Sequence, residues 1–102
     1  MTFDNQKNSS DLTLQATVRG RVQGVFFRAF VGQAASRLHL GGYVRNQPDG
    51  SVYVVARGQR SDLEALLALL WQGPEMARVS AVEAEWVEGE TGISAQRFEV
   101  RH

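Results

Sequence analysis

The stretch from residue 12 to residue 28 reads LTLQATVRGRVQGVFFR, and its apolar pattern changes period midway, from that of a strand to that of a helix. Apolar and polar residues first alternate, which is typical of a half-buried strand that ends at Gly20. From Phe27 the apolar residues recur at helical spacing and predict a helix over residues 27–39, which Gly41-Gly42 ends. The strand's apolar positions are Leu12, Leu14, Ala16 and Val18, and the helix's are Phe27, Val31, Ala34, Ala35 and Leu38.

The later segments predict a hairpin, a second helix and two more strands. The hairpin turn is Gln47-Pro48-Asp49-Gly50, because proline presets one φ angle and glycine accepts a positive one. Ser61-Asp62-Leu63-Glu64 matches a capping box, so Ser61 is the expected N-cap of the second helix, and Gly73-Pro74 stops it. Its core stripe is predicted to be Leu63, Leu66, Leu67, Leu70 and Trp71. The predicted strands are residues 43–47, 51–58, 80–87 and 97–101, with a loop at residues 88–92.

The order β-α-β-β-α-β predicts the α+β class, as a ferredoxin-like sandwich with an antiparallel sheet and two helices on one face. Residues 1–11 are polar and lack periodicity, so we expect a flexible N-terminal tail followed by one domain over residues 12–102.

Composition excludes several kinds of chemistry. The 102 residues contain no cysteine, which removes disulfides, thiolate nucleophiles and Cys-ligated zinc. His39 and His102 are the two histidines, too few and too far apart in sequence to suggest a metal cluster. The sequence has no apolar run of the ~20 residues that a membrane span needs and no secretory signal, so a cytoplasmic protein is expected.

Charge is balanced overall but unevenly distributed. Residues 1–58 carry seven basic and three acidic side chains, whereas residues 59–102 carry four and eight. Zero net charge argues against an extended nucleic-acid surface. The basic half suits a small anion, although chance segregation on a solvated surface explains it equally well.

The loop in residues 20–28, GRVQGVFFR, is a candidate anion site. A strand, a glycine-containing loop and a helix start present several backbone N–H groups to one point, where the helix dipole adds positive potential. Arg28 in the first helical turn opposes the dipole but could share an anion with those amides. The alternative is a structural turn with a surface arginine. The loop has neither the GxxxxGK[ST] nor the GxGxxG nucleotide fingerprint.

Asn46, just before the hairpin turn, is the second candidate, because its amide can orient a water without acting as a base. Asparagine is also commonplace at such junctions. The serines have no histidine partner signal, His39 is interpreted as structural or exposed, and the acids of residues 83–90 are interpreted as a solvated face.

Four segments, GRVQGVFFR, LHLGGYVRN, DGSVYVVARG and GPEMARV, resemble the acylphosphatase family. The resemblance runs from about residue 17 to residue 82, with Phe98 in the final strand. That family hydrolyses acyl phosphates to a carboxylate and inorganic phosphate without metal or cofactor. The resemblance implies that Arg28 binds the substrate phosphate and that Asn46 positions the attacking water. The loop amides implied to bind phosphate belong to Val22, Gln23, Gly24, Val25, Phe26 and Phe27.

The resemblance implies a small acyl phosphate as the partner and no cofactor. A monomer is the default for a domain of this size, and neither a nucleic acid nor a membrane is expected as a partner. Tyr43 departs from the family, which often has tryptophan there, and Arg97 to His102 match less clearly. Two alternatives stay open: a non-catalytic or accessory acylphosphatase-like domain that binds anions, and an RNA-binding module. The second is weakened because Phe26 and Phe27 fall at a loop–helix junction rather than on a strand.

Overall fold

Five strands and two helices make up the part of the chain that the computed structural model describes, residues 12–88 and 97–102. The predicted tail and residues 89–92 of the predicted loop lie outside the described residues. The elements are β1 (Leu12–Arg21), α1 (Phe27–Arg37), β2 (Gly41–Asn46), β3 (Val52–Gly58), α2 (Arg60–Gln72), β4 (Arg78–Glu88) and β5 (Phe98–Val100).

The strands form one sheet in the order β4-β1-β3-β2-β5. β1 pairs antiparallel with β3 and β4, and β2 pairs antiparallel with β3, which confirms the predicted ferredoxin-like class. One pair differs from the predicted antiparallel sheet, because β5 runs parallel to β2. β5 follows β4, which lies at the opposite edge of the sheet, so no hairpin joins it to β2 and no turn forces antiparallel pairing.

The core lies between the sheet and the two helices. Leu14, Ala16 and Val18 of β1 pack in one buried cluster with residues of both helices, as the alternation in β1 predicts. The helix residues of that cluster are Phe27, Val31, Ala34 and Ala35 of α1 and Leu63, Leu66 and Leu70 of α2.

The first helix ends two residues earlier than predicted, at Arg37. His39 adopts a φ of 59°, the left-handed conformation that usually falls to glycine after a helix, and Leu40 then turns into the core. Gly41 and Gly42 therefore do not end the helix as predicted. They begin β2, which covers Gly41–Asn46 instead of residues 43–47.

The predicted capping box is wrong. α2 begins at Arg60 with Gln59 as its N-cap, and no side chain caps it, so Ser61 and Glu64 lie inside the helix. Glu64 instead accepts a 3.1 Å hydrogen bond from Nε of Arg60, one turn earlier. Trp71 is also not a core residue, since it is 52% exposed. It lies about 100° around the helix from Leu70, at the margin of the buried face.

Candidate active site

A pocket of about 340 Å³ opens where β1 leads into α1. It brings together Arg28 and Asn46, which lie on different elements and which the sequence singled out separately. Of the six predicted loop residues, Gln23 and Val25 do not line it. The lining residues are Val22, Gly24, Phe26, Phe27, Arg28, Ala29, Asn46, Val100 and His102.

The loop before α1 contains two residues with left-handed backbone and two buried valines. Gly24 has a φ of 75°, and Phe26, the N-cap of α1, has a φ of 63°. Val22 and Val25 are buried and fix the loop against the core. Among the described residues, the hydrogen bonds outside helices and strands include none donated by the backbone N–H groups of residues 22–29. The first turn of α1 holds no acidic residue, so these N–H groups and the helix dipole leave positive potential at the pocket.

The side chain of Gln23 ties this loop to the hairpin. Its Nε2 donates to the backbone carbonyl oxygens of Gln47, at 2.8 Å, and Ser51, at 2.9 Å. The sequence suggested only a backbone role for Gln23. A glutamine in a short loop has an amide that can donate two hydrogen bonds, and this was the one signal for a side-chain role. Its acceptors lie 24 and 28 residues away, so the sequence alone does not identify them.

The β2–β3 turn that follows Asn46 is held by its own side chains. Asp49 accepts hydrogen bonds from the Ser51 hydroxyl at 2.6 Å and the Ser51 backbone N–H at 3.0 Å, and Arg19 lies 3.2 Å away. The Ser51 donors, with a smaller contribution from Arg19, lower the pKa of the Asp49 carboxyl to about 2. Gly50 N–H closes the turn on the Gln47 carbonyl at 3.1 Å. The Asp49–Ser51 and Gln47–Gly50 hydrogen bonds therefore fix the turn at the end of β2.

Arg28 points along the pocket toward the residues that follow β5. Its Nη1 donates to the carbonyl oxygen of Arg101 at 2.7 Å and lies 3.3 Å from Nδ1 of His102. Arg101 is itself fixed, because its N–H donates to the carbonyl of Val44 at 2.8 Å. Sequence reasoning missed this contact, since 73 residues separate Arg28 from Arg101 and only the parallel β2–β5 pairing brings them together.

Asn46 is the last residue of β2 and pairs with Val52 of β3. Its side chain is partly buried, lines the pocket and makes no hydrogen bond to any residue that the structure describes. A partly buried amide without a protein partner is suited to bind a water or a polar ligand.

Of the other groups considered from the sequence, His39 and Glu83 do not line this pocket, and Glu90 lies outside the described residues. His39 is exposed, and Glu83 is exposed and pairs with Arg19 at 3.2 Å, as a solvated face would. Within residues 12–88 and 97–102, His, Asp and Glu do not gather in groups of three or more that could hold a metal ion. Neither helix of the described chain has the length and apolarity to cross a membrane.

Comparison with known proteins identifies the family. The family model described as Acylphosphatase matches residues 14–100. The acylphosphatase of Thermus thermophilus is 54% identical over 80 residues, which cover 78% of this chain and 90% of that protein.

Two solved structures share the fold over nearly their whole length. The crystal structure of acylphosphatase from Bacillus subtilis has a TM-score of 0.84 and 31% identity, and the match covers 89% of this chain and 99% of that one. The acylphosphatase from Coxiella burnetii has a TM-score of 0.80 and 38% identity, with 99% and 100% covered. A match of this extent in sequence and in structure places the chain in the acylphosphatase family.

Proposed function

We propose that the pocket hydrolyses the carboxyl–phosphate bond of acyl phosphates, releasing a carboxylate and inorganic phosphate. One observation carries the proposal: Arg28 and Asn46 line a single pocket beside backbone N–H groups that have no partner among the described residues. The Thermus thermophilus relative, named as an acylphosphatase, supports the same reaction.

The phosphoryl group would be held by Arg28 and the loop amides of residues 22–27. Nη1 of Arg28 is partly used by the Arg101 carbonyl, which orients the guanidinium and leaves its other N–H donors for phosphate oxygens. Donors fixed before the substrate arrives stabilise the charge that develops on those oxygens during transfer.

The attacking water would be held by Asn46. Its amide oxygen accepts a hydrogen bond from the water and aims the water's lone pair at phosphorus, which reduces the entropic cost of attack. The bond from the water oxygen to phosphorus forms as the bond from phosphorus to the acyl oxygen breaks, and that electron pair leaves on the carboxylate. The water's proton passes to a phosphoryl oxygen.

An acyl phosphate is an activated mixed anhydride whose carboxylate leaves readily. The reaction therefore needs little acid assistance, and the proposal includes neither a metal nor a cofactor. It also takes the protein to be a cytoplasmic monomer that acts on a small molecule.

The test is release of inorganic phosphate from benzoyl phosphate, corrected for spontaneous hydrolysis. We expect Arg28→Ala to lower kcat/KM by about 100-fold or more, as loss of a charge-stabilising donor does. Arg37→Ala is the control, since Arg37 is exposed in the last turn of the same helix. Benzoyl phosphate should be preferred to p-nitrophenyl phosphate, a simple ester. Wild-type turnover no faster than that of Arg28→Ala would overturn the proposal and favour an accessory, anion-binding domain.

A further inference from the structure

Large apolar side chains are exposed at four places in the described residues, and two of the four are at the pocket. Phe26 is 81% exposed and Val100 is 39% exposed, and both line the space next to Arg28. The other two, Trp71 and Met76, do not line it. An exposed apolar pair beside an anion site indicates a ligand with an apolar part.

Phe26 is held in a conformation that aromatic residues rarely adopt. Its φ of 63° and ψ of 23° are left-handed, where a side chain meets steric strain that glycine avoids. The Phe26 ring is exposed to solvent, so packing in the core does not compensate for this backbone strain. Strain at an exposed, pocket-lining residue is characteristic of a functional position.

Val100, in β5, also lines the pocket and packs against α1. Gly32 leaves the room that Val100 occupies, since a Cβ at position 32 would lie 2.7 Å from Cγ2 of Val100. Pairing of Val100 with Val44 in the β5–β2 ladder holds the backbone as well. The two apolar side chains thus come from two separate parts of the chain, Phe26 at the N-cap of α1 and Val100 in β5.

We infer that Phe26 and Val100 form a subsite for the acyl group and that the protein prefers acyl phosphates with an apolar, aromatic or branched acyl group. The inference rests on the proposed function. When Arg28 and the loop amides hold the phosphate and Asn46 holds the water, the lining side chains left for the acyl part include Phe26, Val100 and Ala29. An aromatic acyl group can pack against the Phe26 ring and shed apolar surface from water.

The experiment measures kcat/KM for benzoyl phosphate and for acetyl phosphate and takes their ratio, in which effects common to both substrates cancel. Phe26→Gly and Phe26→Asn both tolerate a left-handed backbone and should lower the ratio about five- to tenfold. Val100→Thr, nearly the same shape but polar, should lower it about threefold. Met76→Ala and Trp71→Ala are the matched controls, since each removes an exposed apolar side chain away from the pocket and should leave the ratio unchanged.

The outcomes distinguish failure of the acyl subsite from failure of the proposed function. A wild type that hydrolyses neither substrate defeats the proposed function. A wild type that hydrolyses both, with an unchanged ratio in Phe26→Gly and Phe26→Asn, defeats only the acyl subsite. An equal loss on both substrates in the two Phe26 variants also overturns it, because the ring would then serve loop geometry alone.

Discussion

Gln23 and Gln47 join the two halves of the pocket, since Nε2 of Gln23 donates a 2.8 Å hydrogen bond to the backbone carbonyl oxygen of Gln47. Gln23 belongs to the loop that leads into Arg28, and Gln47 directly follows Asn46. The Gln23 side-chain amide therefore helps to fix the distance between the proposed phosphate site and the proposed water site, together with the Arg28–Arg101 contact.

Replacing Gln23 should consequently affect both stability and turnover. In Gln23→Glu a carboxylate would face two carbonyl oxygens, and in Gln23→Met those acceptors would lose their donor, so the free energy of unfolding should fall by about 1–3 kcal/mol. A small shift of Asn46 against Arg28 should lower kcat by about tenfold or more. Urea unfolding and phosphate release measure the two effects. Gln33→Glu, at an exposed site on α1, is the control, and equal behaviour of the two Glu variants would contradict the role of Gln23.

The sequence predicts most of the architecture because hydrophobic periodicity is strong where an element has one buried face. The alternation from Leu12 to Val18 and the stripe from Phe27 to Ala35 both match the buried core. Arg28 and Asn46 are also found together, since each sits at an element end that the pattern locates within two residues.

What the sequence does not predict depends on contacts between distant segments. The Arg28–Arg101 hydrogen bond requires the parallel pairing of β5 with β2, which no local pattern encodes. The capping box failed because the helix begins at Arg60, one residue before Ser61, so Glu64 lies inside the helix and pairs with Arg60. His39 takes the left-handed position after α1 although two glycines follow close behind, since the chain has already turned when it reaches Gly41 and Gly42, which lie in β2.

Gly42 and Gly50 provide a paired test of packing in that sheet. Both have a positive φ, 127° and 93°, so alanine is strained at either position by about 1–2 kcal/mol. At Gly42 a Cβ would also collide with the backbone carbonyl oxygen of Val55, whereas at Gly50 it would meet nothing within 4 Å. Gly42→Ala should therefore lose about 1–3 kcal/mol more than Gly50→Ala in urea unfolding. Equal losses would mean that β2 and β3 are not as close as described.

Asp49 should make the free energy of unfolding decrease as the solution becomes acidic. Its pKa is about 2 in the folded state, mainly through the Ser51 hydroxyl and N–H donors, against about 3.9 for an unfolded aspartate. The unfolded chain therefore binds more protons between those values, and the contribution, fully present above about pH 5, is lost as the pH falls toward 2. Asp49→Asn should flatten this part of the curve of unfolding free energy against pH, while exposed Glu75→Gln should not. Parallel curves for wild type and Asp49→Asn would refute the assignment.

Arg28→Lys separates the shape of the guanidinium from its charge. Lysine keeps the positive charge but cannot donate to the Arg101 carbonyl and grip two phosphate oxygens with a planar fork. We expect a fall in kcat/KM close to that of Arg28→Ala, about 100-fold or more, with little change in unfolding free energy. Arg37→Lys on the same helix is the conservative control. Near-normal turnover in Arg28→Lys would show that a point charge suffices and would remove the bidentate grip from the mechanism.

Asn46→Ala tests whether the amide acts on the water or on the phosphate. The side chain has no hydrogen-bond partner among the described residues, so its loss should cost little stability and should affect what enters the pocket. If it aligns the attacking water, kcat should fall by about 100-fold, whereas the inhibition constant of inorganic phosphate should change less than threefold. Asn46→Asp is the informative partner variant, since it keeps an acceptor for the water but places negative charge near the anion. It should raise the phosphate inhibition constant, which Asn46→Ala should not. A loss of phosphate affinity in Asn46→Ala with kcat preserved would instead make Asn46 part of the phosphate grip.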